Sequence, residues 1–344
     1  MLNLNRLKGG FDRRYPDQCT TIDSHTQGEP TRLLISGCGK LPGSTILEKR
    51  DAFIEGYDHM RKLLTQEPRG HRDMFAAVLT EPVSPGAHFG LIYMDARRYP
   101  YLCGHGTIGA VTALIETGAL EVDEGNTVIT VDTPSGPLQA HTNVKDGRVT
   151  SVGLDMVPSF VLETGCGLTI PDFGEIEVDL VCVGGVFAMV SAAAIGLDLI
   201  PANSKKLVSL GMAIIEEANR SLTVYHPQRP EVTTVDVTEF YSENEQGEGV
   251  SVVVYGQSHM DRSPCGTGTT AKITLAHHNK ALKIGQKYRN SSPLGTTFEG
   301  EIRAHHPVGE LDGIIARISG SATITGYHRF VVDPADPFPQ GFLL

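Results

Sequence analysis

Residues 102–110, LCGHGTIGA, and residues 264–272, PCGTGTTAK, share the pattern Cys-Gly-x-Gly-Thr. Their cysteines, Cys103 and Cys265, lie nearly half the chain length apart. Each pattern follows a strand-like run and a turn, and each opens a stretch with helical periodicity. This shared order of strand, loop, cysteine motif and helix predicts that the chain contains two copies of one structural unit.

Outside these motifs, strands and helices are interspersed. Short apolar runs bounded by Gly, Pro or Asp predict strands at 31–35, 76–79, 89–94, 128–131, 178–183, 252–255, 314–318 and 330–332. Helical periodicity predicts helices at 48–64, 107–117, 205–218 and 268–278. The mostly polar stretches 136–149 and 243–249 are expected to be loops. The predicted fold class is therefore mixed α and β (α/β or α+β).

The length of 344 residues predicts two domains. A boundary near residue 155 divides the chain into an N-terminal half, 1–155, with the first cysteine motif, and a C-terminal half, 156–326, with the second. We expect the C-terminal segment 327–344 to pack back on the N-terminal half.

Composition and charge exclude several classes of protein. Hydrophobic residues make up 40% of the chain and charged residues 20%, which is ordinary for a globular protein. Lys and Arg number 29 against 40 Asp and Glu, giving a net charge of −11 with no basic cluster, so nucleic acid is not an expected partner. Residues 1–20 contain neither an apolar run nor a small-residue cleavage site, and we therefore expect a cytoplasmic protein.

One uncharged stretch, 180–197, is nearly long enough to cross a membrane. Asp179 and Asp198 flank it where Lys or Arg would be expected, and Gly184-Gly185 interrupts it. The pattern favours a buried strand that turns into a buried helix, so no membrane partner is expected.

The chain has six cysteines, at positions 19, 38, 103, 166, 182 and 265, without a Cys-x-x-Cys spacing, so free thiols are expected. A cysteine at a helix start lies beside unpaired N–H groups and the positive end of the helix dipole. Such a position lowers the cysteine pKa to about 3.5–7.5 and forms a cradle for a carboxylate. Gly104 with Gly106, and Gly266 with Gly268, allow the backbone to approach a ligand closely.

Two such thiols suit a reaction that needs groups on opposite faces of one carbon. A thiolate acting as base and a thiol acting as acid invert a stereocentre, with the roles exchanged in the reverse direction. This chemistry requires no cofactor.

Two other interpretations use the same residues. Residues 104–109 match Gly-x-Gly-x-x-Gly, the dinucleotide fingerprint, but a loop with Arg97, Arg98 and Pro100 separates strand from glycines and no clean βαβ unit follows. Cys103, His105 and Cys265 also have zinc-binding atoms, but near-adjacent residues at a helix start rarely converge on one ion. Neither a nucleotide nor a metal is therefore expected.

The sequence resembles the proline racemase family, which includes 4-hydroxyproline 2-epimerases and 3-hydroxyproline dehydratases. The resemblance extends over nearly the whole chain. It rests on IDSHT at 22–26, GEPTR at 28–32, EPRGH at 67–71, DMF at 73–75, CGHGT at 103–107, DRSPCGTGT at 261–269, GSA at 320–322 and ITG at 324–326.

The resemblance implies a diaminopimelate-epimerase-like fold of two pseudo-symmetric halves, each a curled mixed sheet around a central helix, with the active site between them. It makes Cys103 and Cys265 the catalytic acid/base pair; dehydratase relatives replace one of these cysteines with Thr or Ser. It also implies a homodimer and an imino-acid substrate, with proline ahead of 4-hydroxyproline. In that carry-over the substrate carboxylate is bound by N–H groups of Gly104, His105, Gly266 and Thr267, the ring nitrogen by Asp261 and His105, and the ring by Phe75, Val237 and Tyr255.

This chain departs from the family at two places near the expected pocket. Tyr255 stands where Phe is usual, and its hydroxyl, like His259, is available to a 4-hydroxyl group. Residues 183–188, VGGVFA, lack a polar residue and an aromatic that relatives carry, and the glycines predict a tight bend. A further set of charged residues is expected to form ion-paired scaffolding: Asp23, His25, Glu29, Arg32, Glu67, Arg69, His71 and Asp73.

Overall fold

The computed structural model describes residues 7–15 and 18–344, which form six α-helices and seventeen strands. The helices are α1 (Leu7–Arg14), α2 (Ile46–Thr65), α3 (Gly104–Glu116), α4 (Ala192–Ile195), α5 (Ser204–Ser221) and α6 (Gly266–His278). The strands are β1 (Gln18–Thr26), β2 (Glu29–Ser36), β3 (Phe75–Thr80), β4 (Phe89–Asp95), β5 (Gly125–Thr133), β6 (Gly136–Lys145), β7 (Arg148–Asp155), β8 (Ser159–Ile170), β9 (Gly174–Val183), β10 (Gly185–Ser191), β11 (Val235–Glu243), β12 (Gly249–Tyr255), β13 (His259–Met260), β14 (Lys287–Ser291), β15 (Thr297–His305), β16 (Gly313–Gly320) and β17 (Ala322–Val331).

Strand pairing repeats itself in the two halves of the molecule. The first sheet has the order β17-β1-β2-β3-β4-β5-β6-β7, and the second has the order β8-β9-β10-β11-β12-β14-β15-β16. In both sheets the third and fifth neighbouring pairs are parallel and the others antiparallel. The matching pattern confirms the two pseudo-symmetric halves predicted from the repeated motif.

The sheets curl around one helix each. Helix α3 contacts strands β1, β2, β3, β7 and β17, and helix α6 contacts β8, β9, β10, β12, β15 and β16. Every residue of α3 from 105 to 115 is buried, as expected of a helix that is apolar on all sides and surrounded by strands. Helices α3 and α6 also contact each other, which brings the two cysteine motifs into one region.

Strand β16 connects the two sheets. It pairs with β7 of the first half and with β8 at the other end of its own sheet. Outside the sheets, α2 packs on one apolar cluster of the first half and α5 on one of the second. The domain boundaries stay a prediction; the pairing of β17 with β1 favours a return to the first half at residue 322 rather than 327.

Most predicted elements are confirmed, but three interpretations were wrong. Residues 136–149 are not a loop: they form β6 and the start of β7, whose side chains alternate between buried and exposed positions because one face meets solvent. The stretch 180–197 is not a single buried strand that turns into a buried helix. It is the β9–β10 hairpin followed by the one-turn helix α4, with Gly184 at the predicted tight bend (φ 74°).

The third error is the expectation that no clean βαβ unit would contain the glycines of residues 104–109. Strands β4 and β5, before and after helix α3, pair in parallel at two register positions and so form such a unit.

Residues 243–249 are mostly a turn between β11 and β12, as predicted. No helix within 7–15 or 18–344 is long and apolar enough to span a membrane. Residues 1–6, 16 and 17, part of the segment expected to lack a secretory signal, lie outside the described residues.

Candidate active site

The two cysteines occupy equivalent positions in the fold. Cys103 is the N-cap of α3, and its Sγ accepts a hydrogen bond from the Gly106 N–H at 3.2 Å. Cys265 is the N-cap of α6, and its Sγ accepts one from the Gly268 N–H at 3.4 Å. Sulfur here takes the part that a serine or aspartate oxygen usually plays at a helix start. The position of the sulfur atoms follows directly from the Cys-Gly-x-Gly-Thr pattern.

The backbone of Cys265 is strained where that of Cys103 is not. Cys265 has φ 58° and ψ 125°, a combination that residues with a side chain rarely adopt, whereas Cys103 is extended. Hydrogen bonds from the preceding loop hold this conformation: the Cys265 N–H donates to Ser263 Oγ at 3.1 Å, and Ser263 Oγ donates to Asp261 Oδ1 at 2.7 Å. Asp261 thereby orients the start of α6.

Burial reverses one prediction about the thiols. The helix starts were expected to lower the cysteine pKa, and the N–H groups do act in that direction. Burial raises the pKa of both Cys103 and Cys265 well above the ordinary value, and the Asp261 carboxylate raises it further. Desolvation of the thiolate is the larger effect because only 8% of Cys103 and 9% of Cys265 is exposed. Burial therefore favours the neutral thiol over the thiolate at both cysteines.

Asp261 lies within electrostatic range of both cysteines. Its charge contributes to the raised pKa of Cys103 and of Cys265 and opposes the lowering of the His105 pKa. Burial and the neighbouring Glu29 carboxylate raise the pKa of Asp261 itself. One carboxyl group thus influences both helix starts, in keeping with the contact between α3 and α6.

Next to Cys103 lies a neutral imidazole. His105 Nδ1 is 3.3 Å from Cys103 Sγ, and burial lowers the His105 pKa to about 4. The backbone carbonyl of His105 accepts a hydrogen bond from Thr26 Oγ1 at 2.8 Å, which ties the helix start to β1. On α6 the corresponding neighbour is Thr267, whose Oγ1 is 3.3 Å from Cys265 Sγ.

The glycines beside the cysteines leave room for a ligand. A Cβ atom built on Gly104 would meet only Leu154 at 3.8 Å, and one on Gly266 only Met156 at 3.9 Å. The first N–H groups of a helix have no partner inside it, so Gly104, His105, Gly266 and Thr267 are placed to bind an anion at either helix start.

The three predicted ring-contacting residues lie against this centre. Phe75 packs edge-on against the His105 ring, with centroids 4.6 Å apart. Val237 and Tyr255 are cross-strand partners on β11 and β12 and belong to the apolar cluster that contains Cys265. Phe75 therefore borders the first helix start, and Val237 and Tyr255 border the second. Their roles stay predictions.

A cluster of ion pairs lies beside Asp261, and the sequence did not predict that its members come together. His259 Nε2 is 3.1 Å from Glu29 Oε1, and its Nδ1 is 3.4 Å from Asp73 Oδ1. Arg262 donates its N–H to Glu29 at 2.8 Å and its Nη2 to Asp73 at 2.7 Å. Burial alone would lower the His259 pKa, but the two carboxylates outweigh it and raise the pKa to about 9.

This group explains part of the expected ion-paired scaffolding. Glu29 and Asp73, in the first half, bind His259 and Arg262 of the second half beside the site. Asp23 pairs with Arg32 within the first half, at 2.8 Å. Arg69 pairs with Asp336 at 3.1 Å. No local motif connects residues as far apart in sequence as Glu29 and His259, so only the fold reveals their contact.

The residues of the zinc alternative do not form a ligand set. Within the described parts of the chain, no three or more His, Cys, Asp or Glu side chains are grouped as metal ligands. Cys103 and His105 lie together, but Cys265 belongs to the other helix start.

Known proteins are similar to this chain over nearly its whole length. A family model described as proline racemase matches residues 21–343. A proline racemase from Clostridioides difficile is 40% identical over 325 residues, covering 94% of this chain and 97% of the relative. A 4-hydroxyproline 2-epimerase from Streptosporangium roseum is 36% identical over 324 residues, covering 94% and 97%. A crystal structure of a hydroxyproline epimerase from Agrobacterium vitis with bound trans-4-hydroxy-L-proline has a TM-score of 0.85 and 30% identity, covers 96% of each chain, and confirms the predicted fold.

Proposed function

This chain belongs to the proline racemase family and is an isomerase, and on that premise we propose that it interconverts L- and D-proline without a cofactor. Cys103 and Cys265 are the proposed acid/base pair. The observation that carries the proposal is the pair of cysteine N-caps on two pseudo-symmetric helices, with Asp261 acting on both.

Substrate binding uses both helix starts. The carboxylate accepts hydrogen bonds from N–H groups of Gly104, His105, Gly266 and Thr267, where both helix dipoles favour negative charge. The ring ammonium lies against Asp261 and His105. A neutral His105 suits this position because an imidazolium would repel the ammonium.

The ammonium also prepares the thiols for reaction. The Asp261 carboxylate raises the pKa of both cysteines. A bound cation offsets that charge, so substrate binding lowers the thiol pKa and makes a thiolate accessible. The thiolate is therefore formed where a substrate is present to use it.

The reaction then requires two proton transfers. The thiolate of one cysteine takes the α-proton from one face, and the electron pair moves into the carboxyl group, whose developing charge the helix N–H groups stabilise. The thiol of the other cysteine returns a proton to the opposite face. The enzyme is left with thiol and thiolate exchanged, which is the form that acts on the other enantiomer.

The ring pocket favours proline over a hydroxylated ring. Phe75 and Val237 present apolar surfaces, and the His259 ring is already held by Glu29 and Asp73. The Tyr255 ring packs against the His259 ring with centroids 4.5 Å apart, and its hydroxyl is the group available to a 4-hydroxyl. Tyr255 therefore supports the second candidate, a trans-4-hydroxy-L-proline 2-epimerase.

The test follows loss of the α-proton by NMR in deuterated water, with optical rotation, for L-proline and trans-4-hydroxy-L-proline. We expect exchange and loss of rotation with proline. Exchange with hydroxyproline alone would establish the second candidate, and a pyrroline product from trans-3-hydroxy-L-proline would indicate a dehydratase. Binding of proline without exchange would identify a non-catalytic imino-acid binder and refute the proposal.

Variants test the two-thiol mechanism. Cys103→Ser and Cys265→Ser are expected to abolish racemisation while the circular dichroism spectrum stays unchanged. Cys38→Ser is the matched control, since this partly exposed cysteine packs beside α2, outside the site. Substantial racemisation by either active-site variant would exclude the mechanism.

We also propose a cytoplasmic homodimer. Two reduced thiols are needed for the chemistry, and a reducing compartment preserves them; the dimer follows the family resemblance. Light scattering of the purified chain gives its mass directly, and a monomer mass in the active enzyme would refute the dimer. Fractionation of the source cells tests the compartment, and recovery outside the cytoplasm would refute that part.

A further inference from the structure

Behind the second helix start lies a buried carboxyl group that the proposed mechanism does not use. Glu239, on β11, is fully buried, and neither of its oxygens has a hydrogen-bond partner among the described residues. The Ser251 hydroxyl lies close enough to influence it but is hydrogen-bonded to Asn290. A buried carboxyl without partners is costly, so its presence calls for a physical reason.

Glu239 lies near Cys265. A Cβ atom built on Gly268 would lie 3.0 Å from Glu239 Oε2 and 3.1 Å from Cys265 Cβ. The carboxyl group and the cysteine are therefore both close to the first turn of α6. The Glu239 charge accordingly raises the Cys265 pKa, whereas the charges acting on Cys103 are those of Asp261 and Glu29.

One cation near Glu239, Lys272, lowers the Glu239 pKa but does not outweigh the effect of burial. Lys272, on α6, places its Nζ 2.9 Å from Glu243 and over the Tyr241 ring. Asp261, on the preceding loop, repels a second negative charge, and Tyr288, on β14, is within range of Glu239 as a neutral phenol. Burial is the main reason that the Glu239 pKa is raised to about 7.

We propose that Glu239 is a positioning residue for proton transfer, which shares one negative charge with Cys265, so that the Cys265 thiolate forms mainly while Glu239 is protonated. Two like charges at this spacing in a dry interior cannot both ionise readily. The inference rests on the proposed acid/base role of Cys265 and adds a group that controls its ionisation. Among the described residues, the carboxylates that act on Cys103 are Asp261 and Glu29, and Glu29 is engaged by His259 and the Arg262 N–H.

The two thiols therefore differ in their response to pH. As Glu239 ionises near neutral pH, the Cys265 thiolate becomes harder to form, so its population levels off before rising again at higher pH. Coupled pairs titrate in two such steps. Glu239→Gln keeps the shape of the side chain and removes the charge, so this variant is expected to abolish the plateau.

The experiment measures alkylation of each cysteine by iodoacetamide between pH 6 and pH 10, with peptide mapping by mass spectrometry. In Glu239→Gln, Cys265 is expected to react at a pH lower by about one unit or more, while the Cys103 profile in the same molecules does not move. Glu243→Gln is the matched control, a carboxylate on the same strand that pairs with Lys272 instead. It is expected to behave as the wild type.

An unchanged Cys265 profile in Glu239→Gln would overturn the proposal, as would an equal shift of Cys103 and Cys265. Should the variant fail to fold, the wild-type profile decides: a plateau for Cys265 supports the coupling, and a single smooth titration refutes it. The assay contains no substrate, so its failure leaves the racemase proposal intact. If proline showed no α-proton exchange, the proposed coupling between Glu239 and Cys265 would be unaffected.

Discussion

The contact of His259 with two carboxylates predicts how stability depends on pH. In the folded chain the His259 pKa is raised to about 9 from an ordinary value of 6.5, because Glu29 and Asp73 favour the imidazolium more than burial disfavours it. A raised pKa of a base means that folding binds a proton. The contribution to stability is therefore complete below pH 6.5 and is lost as the pH rises through about 9.

The size of the effect follows from the same values. The difference between about 9 and 6.5, at about 1.4 kcal/mol for each pH unit, corresponds to roughly 3 kcal/mol in the free energy of unfolding. Solvent screens little of it because the His259 side chain is only 13% exposed. His259→Gln removes the titrating group and leaves Glu29 and Asp73 without this cation, so the variant is expected to be less stable at pH 6 by a similar amount.

Urea denaturation at pH 6, 7, 8, 9 and 10 measures this dependence. The wild type is expected to lose roughly 3 kcal/mol across the series, and His259→Gln to lose much less. His328→Gln is the matched control, since this half-exposed histidine lies 3.6 Å from Asp23 and should leave the wild-type slope in place. A His259→Gln variant with the full wild-type slope would show that another group titrates and would refute the assignment of the pH dependence to His259.

Three further predictions concern other parts of the molecule. Gly268→Ala should destabilise the chain by about 1–3 kcal/mol in urea denaturation, because its Cβ would lie 2.8 Å from Val253. Gly56→Ala, at an exposed and open position in α2, should instead stabilise it by about 0.5–1 kcal/mol, and equal effects of the two variants would contradict this. Arg32→Met should cost about 3–5 kcal/mol by removing the arginine that pairs with the buried Asp23 carboxylate, and an unchanged urea midpoint would argue against it. Tyr255→Phe should leave turnover of proline within about twofold and lower any turnover of 4-hydroxyproline by about tenfold or more, measured as α-proton exchange.

Local sequence was sufficient for the elements that carry the chemistry. The Cys-Gly-x-Gly-Thr pattern predicts a helix start with sulfur as its cap, and both copies form one because a cap depends on a few neighbouring residues. The repeated motif also predicted the two-fold arrangement of the sheets. The loop predicted at 136–149 is wrong because the polar residues there lie on the solvent face of strands, and a high polar content does not distinguish such strands from a loop.

The electrostatics of the site depended on the tertiary structure alone. The helix starts predict a lowered thiol pKa, yet burial raises it, because desolvation depends on every element packed around the sulfur. The contact of Glu29 with His259 and the position of Glu239 behind Cys265 likewise join residues that are distant in sequence. The sequence by itself determined which groups are present and how each helix begins; packing decided which charges they meet and how much water reaches them.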